Sequence, residues 1–219
     1  SIFEPLEENP MIAWRGASRY LDDKFRPAFE MELAAMKSVK NDYGLDNLQL
    51  MVPFCRTPEE GERVRELLEE HGLGPSSGTD LFVMVELPSN VIEADRFIEM
   101  MELSGGSIGS NDLVQTVYAV SRDDLEGYQN PIDARSPAVK SMIREIVRKF
   151  NERGLEIGIC GQAPSDFPDE FPPFLIDCGI TSISVTPDTA IAVRGTVAEA
   201  ERRANSESSD PLVSPDNQQ

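Results

Sequence analysis

The sequence has few of the residues that form disulfide frameworks. It contains three cysteines, Cys55, Cys160 and Cys178, and no Cys-x-x-Cys pair. An odd number of widely separated cysteines argues against a disulfide framework and indicates a reducing compartment. We expect Cys55 and Cys178 to be core residues. The single histidine, His71, lies at the polar C-terminal end of a predicted helix, where a cation is mildly favourable. We therefore expect a surface histidine rather than a catalytic one.

Basic residues are also scarce. The chain has 20 basic and 39 acidic residues, a formal net charge of −19, and only five of the basic residues are lysines. This charge argues against nucleic acid and against an anionic membrane surface as partners. An acidic, lysine-poor surface is typical of a salt-rich cytoplasm, because salt shortens the reach of charge repulsion to ~3 Å at 1 M. We therefore expect a halophilic protein.

Long hydrophobic runs are missing. The sequence has no run of about 18 apolar residues and no apolar signal-peptide region, so we expect neither a membrane span nor a secretory signal, and a cytoplasmic location. Its 219 residues, 40% of them hydrophobic, are enough for one domain with a substantial core. We expect a linker remnant at residues 1–8, the domain at 9–204 and a disordered acidic and polar tail at 205–219.

Strand and helix patterns alternate along the domain, which predicts parallel βαβ units. The predicted helix at 58–70 has the clearest start, because Thr57, Pro58 and Glu60 supply an N-cap, a first-turn proline and a capping-box glutamate. The five predicted strands are 48–54, 81–87, 106–109, 155–160 and 182–185. The other predicted helices are 27–41, 91–103, 113–121, 137–150, 169–177 with an interruption at Pro172 and Pro173, and 188–204.

Three predicted strands end in residues that can perform chemistry. Glu86 lies at the end of one strand, Asp112 lies just after the next, and Cys160 ends a third. Parallel α/β folds place their chemistry at the carboxyl ends of strands, so we expect these side chains on one face. Two carboxylates suit Mg²⁺, which leaves its other positions to water and substrate oxygens. Arg56 also follows a strand and is a weaker candidate for this face.

Five ordered motifs span nearly the whole chain. They are NPMIAWRGASR (9–19), MVPFCRT (51–57), VELPSN (85–90), SIGSNDL (107–113) and GICGQAP (158–164). Together they resemble the C-terminal catalytic barrel of the phosphoenolpyruvate-utilising enzymes. Among these enzymes, the motifs are most similar to the branch that makes phosphoenolpyruvate from ATP, pyruvate and water, a gluconeogenic phosphotransfer.

The resemblance implies an α/β fold of the (β/α)₈ TIM-barrel type. Such a barrel has eight strands and ~250 residues, whereas this chain shows five strands, so we expect an incomplete barrel whose missing strands precede Ser1. An open parallel sheet leaves an edge unpaired, so the chain is expected to be marginally stable, rearranged or partnered, and a homo-oligomer is one option.

The resemblance also implies the reaction and its residues. In the family, ATP phosphorylates a histidine on a swivelling domain, and that phosphoryl group moves to pyruvate. The implied roles here are proton donor and acceptor at the pyruvate methyl carbon for Cys160, Mg²⁺ binding for Glu86 and Asp112, and substrate binding for Arg15, Glu86, Gly109, Ser110, Asn111, Asp112 and Arg122.

Simpler interpretations stay open for several of these residues. Cys160 could be a small buried residue at a strand end, Arg122 could pair with Asp123, and Ser-Asn-Asp triplets are common in turns. The sequence has no Gly-x-x-x-x-Gly-Lys loop and no Thr-x-x-His motif, so we expect this chain to lack the ATP-binding and phosphohistidine domains and not to turn over ATP alone. The alternatives are a Mg²⁺-dependent lyase or aldolase of the same barrel type, or a non-catalytic barrel remnant.

Overall fold

The computed structural model describes residues 5–121 and 132–208. Its five strands are β1 (Gln49–Val52), β2 (Asp80–Val85), β3 (Gly105–Gly109), β4 (Glu156–Cys160) and β5 (Ser182–Ile183). The helices before β3 are α1 (Ala17–Tyr20), α2 (Arg26–Asn41), α3 (Pro58–Glu70), α4 (Pro88–Ile92) and α5 (Ala94–Met101), with a 3₁₀ turn at Pro75–Ser77. The later helices are α6 (Ser110–Tyr118), α7 (Pro137–Glu152), α8 (Ala163–Asp166), α9 (Phe171–Cys178) and α10 (Ala190–Ser208).

The strands form one parallel sheet in the order β1-β2-β3-β4-β5, which is also their order along the chain. The connecting helices pack side by side, α3 against α5, α5 against α7, α7 against α9 and α9 against α10. This confirms the predicted α/β fold of parallel βαβ units. It also brings the carboxyl ends of all five strands to the same edge, because neighbouring strands run in one direction.

The two faces of the sheet differ in burial. Side chains alternate between faces along a strand, and one set is aliphatic and buried in the core with the helices. The other face is more open: Met51 is 44% exposed, and a groove of about 340 Å³ lies along it, lined in part by Phe82, Ser107 and Glu156. The buried aliphatic set is Leu50, Val52, Leu81, Val83, Val85, Ile108, Ile157 and Ile159.

Local sequence signals explain one helix that was predicted correctly and one that was not. Helix α3 has the predicted bounds, and the Thr57 side chain accepts a hydrogen bond from Glu60 N at 3.2 Å, as an N-cap does. The predicted interruption of a helix at Pro172 and Pro173 is wrong. Both prolines lie in the first turn of α9, where their missing N–H groups have no helical partner to lose.

Three helices differ most from the sequence prediction. Helix α6 begins at Ser110 instead of residue 113, so the polar triplet forms its first turn. The helix predicted at 91–103 is two helices, because Glu93 between α4 and α5 has the non-helical dihedrals φ −98° and ψ 23°. Helix α10 runs from Ala190 to Ser208, four residues past the predicted limit of 204.

Cys55 and Cys178 lie where the sequence predicts core residues. All three cysteines are free, Cys55 is fully buried, and Cys178 packs against the core. His71 caps the C-terminus of α3 with its Nδ1 atom 2.9 Å from Leu67 O. Across the described ranges, no helix has the length and apolar character that crossing a bilayer requires.

Candidate active site

Three neighbouring strands bring the predicted acids and thiol to one edge of the sheet. Glu86 directly follows β2, Asp112 lies in the first turn of α6 after β3, and Cys160 is the last residue of β4. Burial raises the pKa of Glu86 and the charge of Asp112 raises it further. The two carboxylates therefore lie close enough to repel each other, as the sequence prediction of a shared face requires.

Glu86 is buried, with 5% of its surface exposed. Its Oε2 atom accepts a hydrogen bond from the backbone N–H of Phe54 at 2.9 Å. Gly109 provides the space for this side chain, because a Cβ atom at residue 109 would lie 2.6 Å from Glu86 Cγ and 2.8 Å from Oε1. The structure thus gives Gly109 a spatial role, while its predicted hydrogen bond to substrate stays a prediction.

Asp112 makes a two-point ion pair with Arg15. Arg15 Nη1 donates to Asp112 Oδ1 at 3.0 Å and Nη2 donates to Oδ2 at 3.3 Å. The guanidinium also lies over the ring of Phe54, with Cζ 4.1 Å from the centroid. Its side chain is 30% exposed, so the guanidinium is both oriented and accessible to an anion from solvent.

A glycine docks the Arg15 segment against the end of β1. Gly16 has φ +64°, and a Cβ atom there would lie 2.5 Å from the carbonyl oxygen of Pro53. Ala17 N donates to that same oxygen at 3.1 Å. Only a residue without a side chain permits this close approach, so the Arg-Gly-Ala sequence fixes where the arginine stands.

Arg56, the weaker candidate, has a supporting role in the structure. Its Nη1 donates to Ser18 Oγ at 2.9 Å and to Arg15 O at 3.3 Å, while Nη2 donates to Ile12 O at 2.9 Å and to Ala13 O. These bonds tie the Arg15 segment to the loop after β1. Its guanidinium donors are directed at the chain itself, and a direct contact of Arg56 with substrate stays a prediction.

Cys160 is half-buried. Burial raises the pKa of its thiol, the charges of Glu86 and Asp112 raise it further, and a hydrogen bond with the Ser107 side chain lowers it. The net shift of the Cys160 pKa is upward. The thiol is nonetheless within electrostatic reach of both carboxylates.

Ser110 and Asn111, the first two residues of the triplet, have different surroundings near the end of β4. Ser110 is fully buried, and its hydroxyl donates to Cys160 O at 3.0 Å, which joins the ends of β3 and β4. Asn111 lines a cavity of about 360 Å³ between α6 and α8, together with Gln162. Substrate contacts for both residues stay predictions. Arg122 lies outside the described residues.

Sequence reasoning missed two residues of this edge. Phe54 has φ +43°, a left-handed conformation that is rare for a bulky residue and is common at functional sites. Asn90 is 2% exposed and bonds to the backbone of both the β1 end and the β2 end. These residues lie in the motifs MVPFCRT and VELPSN, Phe54 at the end of one predicted strand and Asn90 just after another, and that position was the available signal.

The acids of this site come as a pair. Within the described parts of the chain, no group of three or more His, Cys, Asp and Glu side chains is arranged to hold a metal ion. Mg²⁺ often takes only one or two carboxylates and completes its coordination with water and substrate oxygens. The two acids Glu86 and Asp112 are therefore the residues that could hold a divalent cation here.

Comparison with known proteins gives a consistent result. The family model "PEP-utilising enzyme, PEP-binding domain" matches residues 2–202. Proteins named phosphoenolpyruvate synthase from Aquifex aeolicus, Synechocystis and Escherichia coli are 49%, 47% and 41% identical over 92%, 91% and 91% of this chain. The chain spans about a quarter of the length of these curated relatives, 23%, 24% and 25% respectively.

A solved structure shares the fold alone. RipC from Yersinia pestis superposes with a TM-score of 0.50 over 75% of this chain and 68% of RipC, at 10% identity. The family model and the high identity to the synthases are the stronger findings, because they cover nine tenths of the chain. This chain belongs to the phosphoenolpyruvate-utilising enzymes, as the PEP-binding domain of that family.

Proposed function

We propose that this chain is the pyruvate- and phosphoenolpyruvate-binding part of an enzyme that phosphorylates pyruvate from a phosphohistidine. The observation that supports this most is the meeting of Arg15, Glu86 and Asp112 with the thiol of Cys160 at one sheet edge, although the four residues come from separate chain segments. The named synthases, 41–49% identical to it, suggest the overall reaction ATP + pyruvate + water to phosphoenolpyruvate + AMP + phosphate.

The donor set fits Mg²⁺. Glu86 and Asp112 are 5% and 7% exposed, and the raised pKa of Glu86 shows that burial and its acidic neighbour both oppose its charge. Arg15 offsets Asp112, whereas Glu86 has no ion pair within residues 5–121 and 132–208. A cation held by these two acids would relieve that excess of negative charge. When bound, Mg²⁺ acts as a Lewis acid that stabilises an enolate oxygen.

The other residues bind the substrate and move its proton. Arg15 presents a guanidinium fork that suits a carboxylate or phosphoryl group, and the Phe54 ring and Asp112 fix its direction. Cys160 removes a methyl proton from pyruvate as thiolate and returns it to the enolate carbon as thiol. Its raised pKa favours the thiol form, while the hydrogen bond with Ser107 supports the thiolate.

The remaining parts of the enzyme lie in other segments or chains. β1 and β5 are the outer strands of the described sheet, and we propose that further strands complete a (β/α)₈ barrel along these edges. The phosphohistidine and ATP-binding domains would come from the three quarters of the relatives' length that this chain does not match. The cytoplasm, where cysteines stay reduced, suits such an enzyme.

Isothermal titration with oxalate, a planar analogue of the enolate, tests this function. We expect oxalate to bind this chain only with Mg²⁺ present, and Glu86→Gln to weaken that binding by about tenfold or more, because one of two metal ligands loses its charge. The matched control is Glu145→Gln, which changes an exposed glutamate of α7 paired with Arg148. Oxalate binding that ignores both Mg²⁺ and Glu86→Gln would contradict the proposal.

A further inference from the structure

Asn90 uses all of its amide atoms close to the site. Its Oδ1 accepts from Glu86 N at 3.1 Å and from Leu87 N at 3.0 Å, and its Nδ2 donates to Cys55 O at 2.7 Å. The side chain is 2% exposed, so these bonds do not compete with solvent. An asparagine that is buried and bonded to both strand ends is more than a surface turn residue.

These bonds reach Glu86 from two sides. Asn90 fixes the Glu86 backbone directly through its N–H group. It also fixes the carbonyl of Cys55, the residue after Phe54, and the Phe54 N–H donates to the Glu86 carboxylate at 2.9 Å. Asn90 is therefore connected to Glu86 in two ways. One is the direct hydrogen bond to the Glu86 backbone, and the other runs through Cys55 and Phe54 at the end of β1 to the Glu86 carboxylate.

Helix capping explains only part of this arrangement. Asn90 is the third residue of α4, and a cap there needs only the bond to Leu87 N. The bonds to Glu86 and Cys55 join the ends of two strands, and Asn90 and Cys55 lie 35 residues apart in the chain. An aspartate could accept from the two N–H groups, but it has no N–H to donate to the Cys55 carbonyl, so the amide is the group that fits.

We propose that Asn90 is a positioning residue that sets the direction of the Glu86 carboxylate relative to Asp112. It keeps the carboxylate facing the neighbouring acid, so that a divalent cation can be shared between them. This inference rests on the proposed function, because it gives Glu86 its metal-binding role. Outer residues that orient metal ligands change metal affinity by about 10–100-fold when they are mutated.

The test compares Asn90→Ala with Ser89→Ala in oxalate titrations at fixed Mg²⁺. Ser89 is the matched control, because its hydroxyl joins the same two loops through Arg56 O at 2.9 Å but does not touch Glu86. We expect Asn90→Ala to weaken Mg²⁺-dependent oxalate binding about tenfold or more, and Ser89→Ala to change it less than about twofold. A second readout is amide hydrogen exchange at Phe54, which should accelerate in Asn90→Ala alone.

Each outcome separates the two proposals. Wild-type chain without Mg²⁺-dependent oxalate binding would overturn the proposed function, and the inference with it. Wild-type binding with an unchanged Asn90→Ala variant would overturn the inference alone. Asn90→Asp keeps both acceptor bonds and decides the question if Asn90→Ala does not fold: faster Phe54 exchange with weaker oxalate binding supports the inference, and wild-type values for both overturn it.

Discussion

The helix-covered face of the sheet and the two acids at its carboxyl edge are both buried but have opposite chemistry. On the covered face, Ile146 of α7 is fully buried in a continuous aliphatic core. At the edge, Glu86 and Asp112 are 5% and 7% exposed, and Phe54 adopts φ +43°. Buried like charges and a left-handed bulky residue both oppose folding. The difference indicates that the covered face stabilises the fold, whereas the edge gives up stability for ligand binding.

The largest effect should come from opening a cavity in the covered face. Ile146→Ala removes buried methyl groups from a side chain that is 0% exposed, and we expect a loss of about 2–5 kcal/mol in the free energy of unfolding. Urea unfolding followed by circular dichroism measures it. Below the unfolding transition, Mg²⁺-dependent oxalate affinity should stay within about twofold of wild type, because this side chain belongs to the aliphatic core and not to the carboxyl edge. A matched loss of affinity would show that the two regions are not separable.

The next largest effect should come from the thiol at the edge. Cys160→Ala should slow exchange of pyruvate methyl protons with deuterated solvent by about 100-fold or more, because general acid–base groups contribute at least that much. A 100-fold change corresponds to about 2.7 kcal/mol in the barrier. Proton NMR of pyruvate with this chain and Mg²⁺ measures it.

A matched cysteine variant controls for that result. Cys178→Ala changes a half-buried thiol of α9 that packs against the core, and exchange should persist in it. Oxalate affinity should remain near wild type in Cys160→Ala, since the thiol is not needed for metal binding. Equal exchange in Cys160→Ala and wild type would remove Cys160 from the chemistry.

The covered face could be predicted from sequence far better than the edge. The predicted strands start within one residue of the observed ones, from Gln49 to Ser182, because strands and the helices between them leave local sequence patterns. The Thr57 cap gave α3 its bounds for the same reason, since the signal lies within four residues. The sequence also predicted which acids and which thiol meet, because parallel strands end at one edge.

The details of the edge depend on contacts that no local pattern encodes. The hydrogen bond from Phe54 N–H to Glu86 joins residues 32 apart, and the Arg15–Asp112 pair joins residues 97 apart. The start of α6 at Ser110 was missed because a Ser-Asn-Asp triplet is equally typical of a turn. Long-range packing decided these positions, and only the fold shows it.

A smaller effect on the free energy of unfolding should distinguish the buried charge of the edge from the buried hydrocarbon of the covered face, because the two substitutions change it in opposite directions. Glu86→Gln should raise the free energy of unfolding at pH 7 by about 1 kcal/mol, roughly 2–4 °C in melting temperature, because it removes a charge whose pKa burial and Asp112 raise. The glutamine can still accept from Phe54 N–H. The opposite sign from Ile146→Ala is the main point of the comparison.

The pH dependence of that gain follows from the direction of the shift. A carboxyl whose folded pKa lies above its unfolded value binds its proton more tightly when folded, so it favours folding below the unfolded pKa of about 4.5, and this contribution is lost as pH rises through the folded pKa. The advantage of Glu86→Gln should therefore be largest at neutral pH and shrink toward pH 4.5. Thermal melts of both chains without metal between pH 4.5 and 8 measure it, and a gain that grows on acidification would contradict the raised pKa.

The smallest effect concerns salt, which should act on the exposed surface charges but not on the buried charge of Glu86. The wild-type chain should gain stability as KCl rises from 0.1 to 1 M, because its net charge of −19 is distributed over an exposed surface where salt screens repulsion. The difference between Glu86→Gln and wild type should change by less than about 0.5 kcal/mol over that range, because buried charges are screened much less. Melts of both chains at several KCl concentrations without metal measure both quantities. Full wild-type stability at low salt would contradict the halophilic interpretation, whereas a Glu86→Gln gain that disappears at 1 M KCl would show that this carboxylate is exposed to the ions and belongs with the surface.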